Sequence, residues 1–277
     1  MSGRNFMKML GAQWDKGNFV CVGLDSEHGK IPDSVKDRYY SIGNAIVAFN
    51  LAIVQATKDL VCAYKPNTAF YEAHGAEGIE ALQKTIADIH AIAPDVPVIL
   101  DAKRADIGNT NTGYVKFAFD YLQADAITVH PYLGGEALKP FLDQTDKGVF
   151  VLCRTSNPGA GELQDFGHNH HLYQEAACRV SENWNKNGNC ALVVGATYPQ
   201  ELAEVRKLVG DLPILIPGVG AQGGDVEKTV KAGKDSRGQG MIINSSRGII
   251  FASYGPNFAE AARHETATLR GVINLYL

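Results

Sequence analysis

Asp101, Lys103 and Asp106 fall within six residues, in Leu100-Asp101-Ala102-Lys103-Arg104-Ala105-Asp106-Ile107. An ammonium set between two carboxylates is held protonated by both, and such a group titrates as a unit rather than residue by residue. A lysine in that state delivers a proton to a reacting atom and does not act as a nucleophile. The same triplet also reads as a structural ion pair at the end of a strand. The elements that place it decide between the two.

The array follows Val96-Pro97-Val98-Ile99-Leu100, an apolar run long enough for a buried parallel strand. On that strand Asp101 and Lys103 share a face, Arg104 takes the other, and Asp106 falls just beyond in the loop. Comparable apolar runs recur at residues 19–25, 61–67, 126–131, 148–156, 190–197, 213–218 and 240–244. Helical stripes separate most of them: Ile42, Ile46, Phe49 and Ile53, then Ile79, Leu82, Ile86 and Ile89, then Leu172, Ala176, Val180 and Trp184. Phe6, Met9, Leu10 and Trp14 predict an N-terminal helix covering one end of the fold. Nearly every polar cluster sits at the C-terminal end of a strand. The pattern is α/β, a single (β/α)8 TIM barrel with an N-terminal helix, one domain across residues 1–277. A doubly wound open sheet is the rival, but it places its Gly-rich loop after the first strand, and here that loop follows the seventh.

Bulk properties agree with this size and class. The chain has 277 residues, 45% of them apolar and 20% charged, with a net charge of −4, which leaves no basic footprint for nucleic acid or an anionic membrane. No run of about 18 apolar residues suggests a membrane span, and the first eight residues lack a secretory apolar region, so a cytoplasmic protein is expected. Five cysteines, Cys21, Cys62, Cys153, Cys178 and Cys190, contain no Cys-x-x-Cys pair, and four lie in apolar runs, as expected of buried thiols.

A second chemical element follows strand seven: Pro217-Gly218-Val219-Gly220-Ala221-Gln222-Gly223-Gly224-Asp225, leading into a helix. Glycines let backbone N–H groups approach an anion, and the loops after strands seven and eight are where such barrels hold phosphate. After strand eight, Ser245-Ser246-Arg247-Gly248 adds a guanidinium fork suited to phosphate oxygens. Residues 157–169, rich in Gly, Asn and His, predict a mobile loop over the barrel mouth. His168, His170 and His171 crowd the polar stretch at and just after its end without a nearby fixed carboxylate, a solvated set rather than a metal site. His130 reads as a rim histidine.

The chain resembles the orotidine 5′-phosphate decarboxylase family, whose members make UMP in the last step of de novo pyrimidine synthesis. The likeness runs from about Phe19 to Gly248 and rests on Asp101-Ala102-Lys103-Arg104-Ala105-Asp106-Ile107, Arg154-Thr155-Ser156-Asn157-Pro158-Gly159 and residues 217–224. The second and third stretches look most like the longer, mainly bacterial branch. The resemblance implies a reaction without metal or cofactor. It makes Lys103 the acid that protonates C6 after CO2 leaves and sets Asp101 beside the substrate carboxylate. Asp25 and Lys65 match the groups that hold the ribose hydroxyls, with Lys65 also linked to the charged array. Asn67, Pro217 and Ser246 join the binding set, Ser156 contacts the pyrimidine ring, and Gln222 and Arg247 hold the 5′-phosphate. Asp106, with Ile107 and Thr110, reaches the neighbouring subunit's pocket, so the implied unit is a homodimer with shared sites. The chain departs from the family pattern after Asp25, where Ser26-Glu27-His28-Gly29 stands in place of an early proline.

Three other readings share these residues. A metal-dependent sugar-phosphate decarboxylase would use the same Asp-x-Lys-x-x-Asp array, but the Thr-Ser-Asn-Pro-Gly stretch favours a pyrimidine. A Schiff-base aldolase needs a lysine of lowered pKa, and flanking carboxylates act in the opposite sense. An inert phosphoribosyl-binding barrel would have no need of the complete charged array.

Overall fold

The computed structural model describes residues 3–219 and 225–277. Eight strands form one parallel sheet: β1 (Val20–Gly23), β2 (Val61–Lys65), β3 (Ile99–Arg104), β4 (Ala126–Val129), β5 (Gly148–Arg154), β6 (Cys190–Val194), β7 (Ile214–Pro217) and β8 (Met241–Ser245). Their order is β2-β1-β8-β7-β6-β5-β4-β3, and the isolated bridges Tyr64↔Val98 and Asn67↔Asp101 join the two ends of that series. The fold is therefore a (β/α)8 TIM barrel, as the sequence pattern requires. Strands β1, β2, β4 and β6 are buried along their whole length, because helices cover one face and the barrel interior the other.

The outer helices include α1 (Phe6–Trp14), α2 (Ile42–Thr57), α3 (Gly75–Ile92), α4 (Gly108–Val115), α5 (Gly134–Leu142), α6 (Leu172–Cys178), α7 (Pro199–Val209), α8 (Val226–Gly233) and α9 (Phe258–Asn274). Several begin where local chemistry satisfies their first N–H groups or restricts the backbone. Ser41 caps α2 by accepting from Asn44 N, Asp225 caps α8 by accepting from Lys228 N, and Pro199 opens α7. The α2 stripe of Ile46, Phe49 and Ile53 is fully buried. On the same helix, buried Asn50 donates to Tyr71 Oη and Thr85 Oγ1 and accepts from Ser26 Oγ, while Tyr71 Oη donates to Leu24 O. This closed polar chain fixes the backbone on both sides of Asp25.

Helix α1 covers the N-terminal end of the barrel, away from the site. Phe6 and Leu10 are fully buried, Phe6 meets Phe150 edge-on at 5.4 Å, and Trp14 Nε1 donates to Met241 O at 2.8 Å. Just before it, the Arg4 guanidinium takes both carboxylate oxygens of buried Asp125 at 2.8 Å each. Those two residues lock the start of the chain to the foot of β4.

Candidate active site

Strand β3 does not run straight through the charged array. Leu100 pairs with Ile127 and Arg104 with Val129, so Asp101, Ala102 and Lys103 together stand opposite Thr128 alone. This is a wide bulge, and Lys103 absorbs it with a left-handed backbone, φ 46°. The displaced N–H of Lys103 donates to Thr128 Oγ1 at 2.9 Å. Arg104 Nη1 donates to Ala102 O at 2.9 Å, so side chains replace the interrupted ladder.

The bulge turns Lys103 back onto Asp101. Lys103 Nζ donates to Asp101 Oδ1 at 2.6 Å, Lys65 Nζ donates to Oδ2 at 2.7 Å, and Thr128 Oγ1 donates to Oδ1 at 3.0 Å. Lys65 Nζ also lies 4.0 Å from Asp25 Oδ1. The result is a line of alternating charge, Lys103, Asp101, Lys65, Asp25, across the C-terminal ends of β3, β2 and β1. Lys65 is 4% exposed along its side chain and Lys103 49%, so one ammonium is structural in setting and the other faces outward.

This corrects the arrangement expected from spacing. Within one chain Asp101 sits between two ammoniums; Lys103 does not sit between two carboxylates. The Asp106 carboxylate instead accepts from Ile107 N at 2.6 Å, and Asn111 holds the Asp106 backbone by accepting from its N–H and donating to its C=O. The left-handed backbone of Lys103 carries the chain off the strand line before Asp106 is reached, and the Asp106 carboxylate makes its contact within the loop instead. Ile107 is 61% exposed, and Thr110 stands exposed in the first turn of α4.

Burial and charge oppose one another at the paired groups. Burial alone would raise the Asp101 pKa, but Lys65 and Lys103, by charge and hydrogen bond, hold it well below the usual carboxylate range. Burial would lower Lys65, yet Asp101 and Asp25 outweigh it and push its pKa up. Cys21, buried beneath them, is pushed up to about 12 by burial.

The phosphate-type elements meet the same place. Asp25, Lys65, Asp101, Pro217, Ser246 and Arg247 wall one cleft of about 150 Å3. Ser246 Oγ donates to Gly23 O at 3.0 Å, a close approach that needs glycine, because a Cβ on Gly23 would lie 2.7 Å from Ser246 Cβ. Arg247 is exposed at the start of the short helix Arg247–Ile250. Gln222 lies outside the described residues. Asn67 bridges to Asp101 on the backbone while its Oδ1 accepts from Ala69 N. Ser156 stands farther round the mouth against Gly195, not in the cleft wall.

The segment after β5 is more ordered in structure than its composition predicts. It contains the short helix Gly161–Gln164, and Gln164 Oε1 accepts from Thr155 N at 2.8 Å. Buried Arg154 pairs with Asp165 at 3.1 Å and lies 4.4 Å over the Tyr198 ring. One of the histidines there does meet a carboxylate: His170 Nε2 lies 3.0 Å from Glu175, which Arg179 also holds, while the His171 ring meets Asp165 O and the residue stands at the N-cap of α6. Sequence reasoning passed over two residues. Thr128 carries no charge and lies inside an apolar run, and Asn244, buried at the end of β8 in the cleft wall, has an Oδ1 with no partner among the described residues. A polar residue interrupting a strand on its barrel-facing side is the signal that marks both.

Residues 18–263 match the model of the family described as orotidine 5′-phosphate decarboxylase / HUMPS. The chain belongs to the orotidine 5′-phosphate decarboxylase family. It is 50% identical over 275 residues to the orotidine 5′-phosphate decarboxylase of Azoarcus sp. (strain BH72), covering 98% of this chain and 99% of that one. Identity to the enzyme of that name from Cellvibrio japonicus is 49% over 273 residues, covering 98% of each. Among solved structures, Leishmania donovani OMP decarboxylase superposes with a TM-score of 0.81 at 38% identity, covering 96% of this chain and 99% of that chain. Leishmania donovani UMP synthase gives 0.87 at 39% identity, covering 99% of this chain, which spans 56% of that longer one. Family membership and the barrel agree with the site: the alternating charges and the β7–β8 cleft occupy one end of one barrel.

Proposed function

We propose that the chain decarboxylates orotidine 5′-phosphate to UMP and CO2, with no metal or cofactor, as the last step of pyrimidine nucleotide synthesis in the cytoplasm. The observation that carries this reading is the outward-facing Lys103 ammonium held 2.6 Å from buried Asp101 at the mouth of a cleft that also reaches Arg247. The C6–carboxylate bond breaks, its electron pair stays on C6, and CO2 departs. The pair then takes a proton from Lys103 Nζ, which is restored from solvent. The vinylic carbanion at C6 has no ring delocalisation of the usual kind, so a preorganised cation beside it is the natural stabiliser. Lys65 keeps Asp101 ionised and anchored, which fixes Lys103 in turn.

In this reading Asp25, Lys65 and Asn67 hold the ribose side, Ser156 meets the pyrimidine ring, and Arg247, Ser246, Pro217 and Gln222 hold the phosphate end. Phosphate contacts remote from C6 contribute to rate where they assemble the charged line. Asp106, Ile107 and Thr110 are assigned to the site of a second copy. Support comes from the Asp106 carboxylate, which accepts from Ile107 N and makes no ion pair with Lys103 among the described residues, and from exposed apolar residues at neighbouring strand ends. Ile107 follows β3, and Tyr132, Leu163 and Leu172 wall a groove of about 740 Å3 beside β4 and β5.

The test is loss of orotidine 5′-phosphate absorbance with purified protein, with and without EDTA, beside Lys103→Ala. The expected result is conversion to UMP, indifferent to EDTA and abolished by the substitution. Conversion that needs a divalent metal, or a fully active Lys103→Ala, overturns the mechanism.

A further inference from the structure

We propose that Thr128 is a positioning residue for the reaction, clamping the β3 bulge so that Lys103 and Asp101 present a fixed ammonium–carboxylate pair to the substrate. The inference rests on the decarboxylase reading above and goes beyond it, because Thr128 touches neither cleft nor solvent. It is fully buried on β4, in the register position that faces three β3 residues at once.

The direction of each hydrogen bond is forced by chemistry. A backbone N–H can only donate, so Thr128 Oγ1 accepts from Lys103 N at 2.9 Å. An ionised carboxylate can only accept, so the hydroxyl proton goes to Asp101 Oδ1 at 3.0 Å. Asp101 Oδ1 is also the oxygen that receives Lys103 Nζ. One hydroxyl thus ties the backbone of the proton donor to the carboxylate that aims it. The β-branched side chain of threonine, in turn, has few χ1 choices on a strand.

The left-handed backbone of Lys103 makes this clamp matter. A lysine at φ 46° has no Cβ-free tolerance for that region, and it persists only when surrounding contacts over-determine it. In this bulge the contacts on the β4 side come from Thr128. Without the hydroxyl, Lys103 N loses its acceptor and Asp101 Oδ1 loses one donor. The bulge then gains freedom to shift the ammonium by fractions of an ångström, enough to weaken a transition-state contact while leaving the phosphate end of the cleft untouched.

The experiment compares Thr128→Val, nearly the same shape without the hydroxyl, with Thr128→Ser, which keeps the hydroxyl and loses the methyl. Steady-state kinetics with orotidine 5′-phosphate and UMP affinity by calorimetry are read on each. Expected is a fall in kcat of roughly tenfold or more for Thr128→Val, with KM and UMP affinity within about threefold of wild type and Thr128→Ser within about threefold in kcat. A Thr128→Val enzyme with wild-type kcat, or a Thr128→Ser enzyme as slow as Thr128→Val, overturns the proposal and leaves the hydroxyl a purely structural satisfier of a buried N–H. If circular dichroism shows that Thr128→Val does not fold, Thr128→Ala against Thr128→Ser makes the same comparison. A wild-type protein that binds UMP but converts no substrate overturns the decarboxylase reading and this inference together, whereas an active wild type with an unaffected Thr128→Val overturns this inference only.

Discussion

Replacing Asp101 by asparagine should cost the protein stability as well as activity, and by a large amount. Asp101 is 8% exposed, and its side chain receives two ammoniums and a hydroxyl. Lys65, equally buried, has Asp25 only at 4.0 Å as a second anion. Asparagine keeps the shape but leaves Lys65 buried beside a neutral amide. Removing one partner of a buried ion pair costs roughly 3–5 kcal/mol, because the remaining charge is uncompensated. At about 2–4 °C per kcal/mol the expected fall in Tm is roughly 6–20 °C. The exposed Lys103 contact is left out of that figure, since solvent screens it. The assay is urea denaturation of wild type, Asp101→Asn, Lys65→Met and the double variant Lys65→Met/Asp101→Asn. The double variant should be more stable than Asp101→Asn, with a coupling of at least about 1 kcal/mol. Midpoints unchanged by Asp101→Asn, or strictly additive losses in the double variant, would refute the reasoning.

Three further outcomes are expected. The depressed Asp101 contributes stability that is present above the unfolded carboxylate value of about 3.9 and fades as pH falls towards its native value. The raised Lys65 contributes fully below about 10.4 and is lost as pH rises through its native value. Urea midpoints across pH should therefore fall on the acid side, and a midpoint that rises between about pH 5 and 3 would contradict the pairing. Arg4→Ala should lower stability by roughly 1–3 kcal/mol by stripping two donors from buried Asp125, with kcat unchanged, because that pair lies at the opposite end of the barrel. On the shared-site reading proposed above, mixing inactive Lys103→Ala and Asp106→Ala chains at equal amounts should restore about a quarter of wild-type activity, since half of randomly re-paired dimers would carry one intact shared site; no recovery after subunit exchange would place both residues in one chain's site.

The sequence by itself determined the barrel. Eight apolar runs form the eight strands, four of them buried along their whole length, and the helical stripes of α2 and α3 cover them, because burial of apolar area is encoded residue by residue in periodicity. It also determined which strand ends are polar, and so which end holds Asp25, Lys65, Asp101 and Arg247. The tertiary structure alone decided who touches whom. A spacing of two and three residues promised a lysine between two carboxylates; the β3 bulge and the left-handed Lys103 instead put Asp101 between two lysines, one of them from β2. Thr128 entered the site for the same reason, since only strand register sets a neutral hydroxyl against a bulge. Periodicity reports which face a side chain takes in a regular element. Where the element breaks, contacts between strands fix the geometry, and those are set by closure of the barrel rather than by neighbours in the chain.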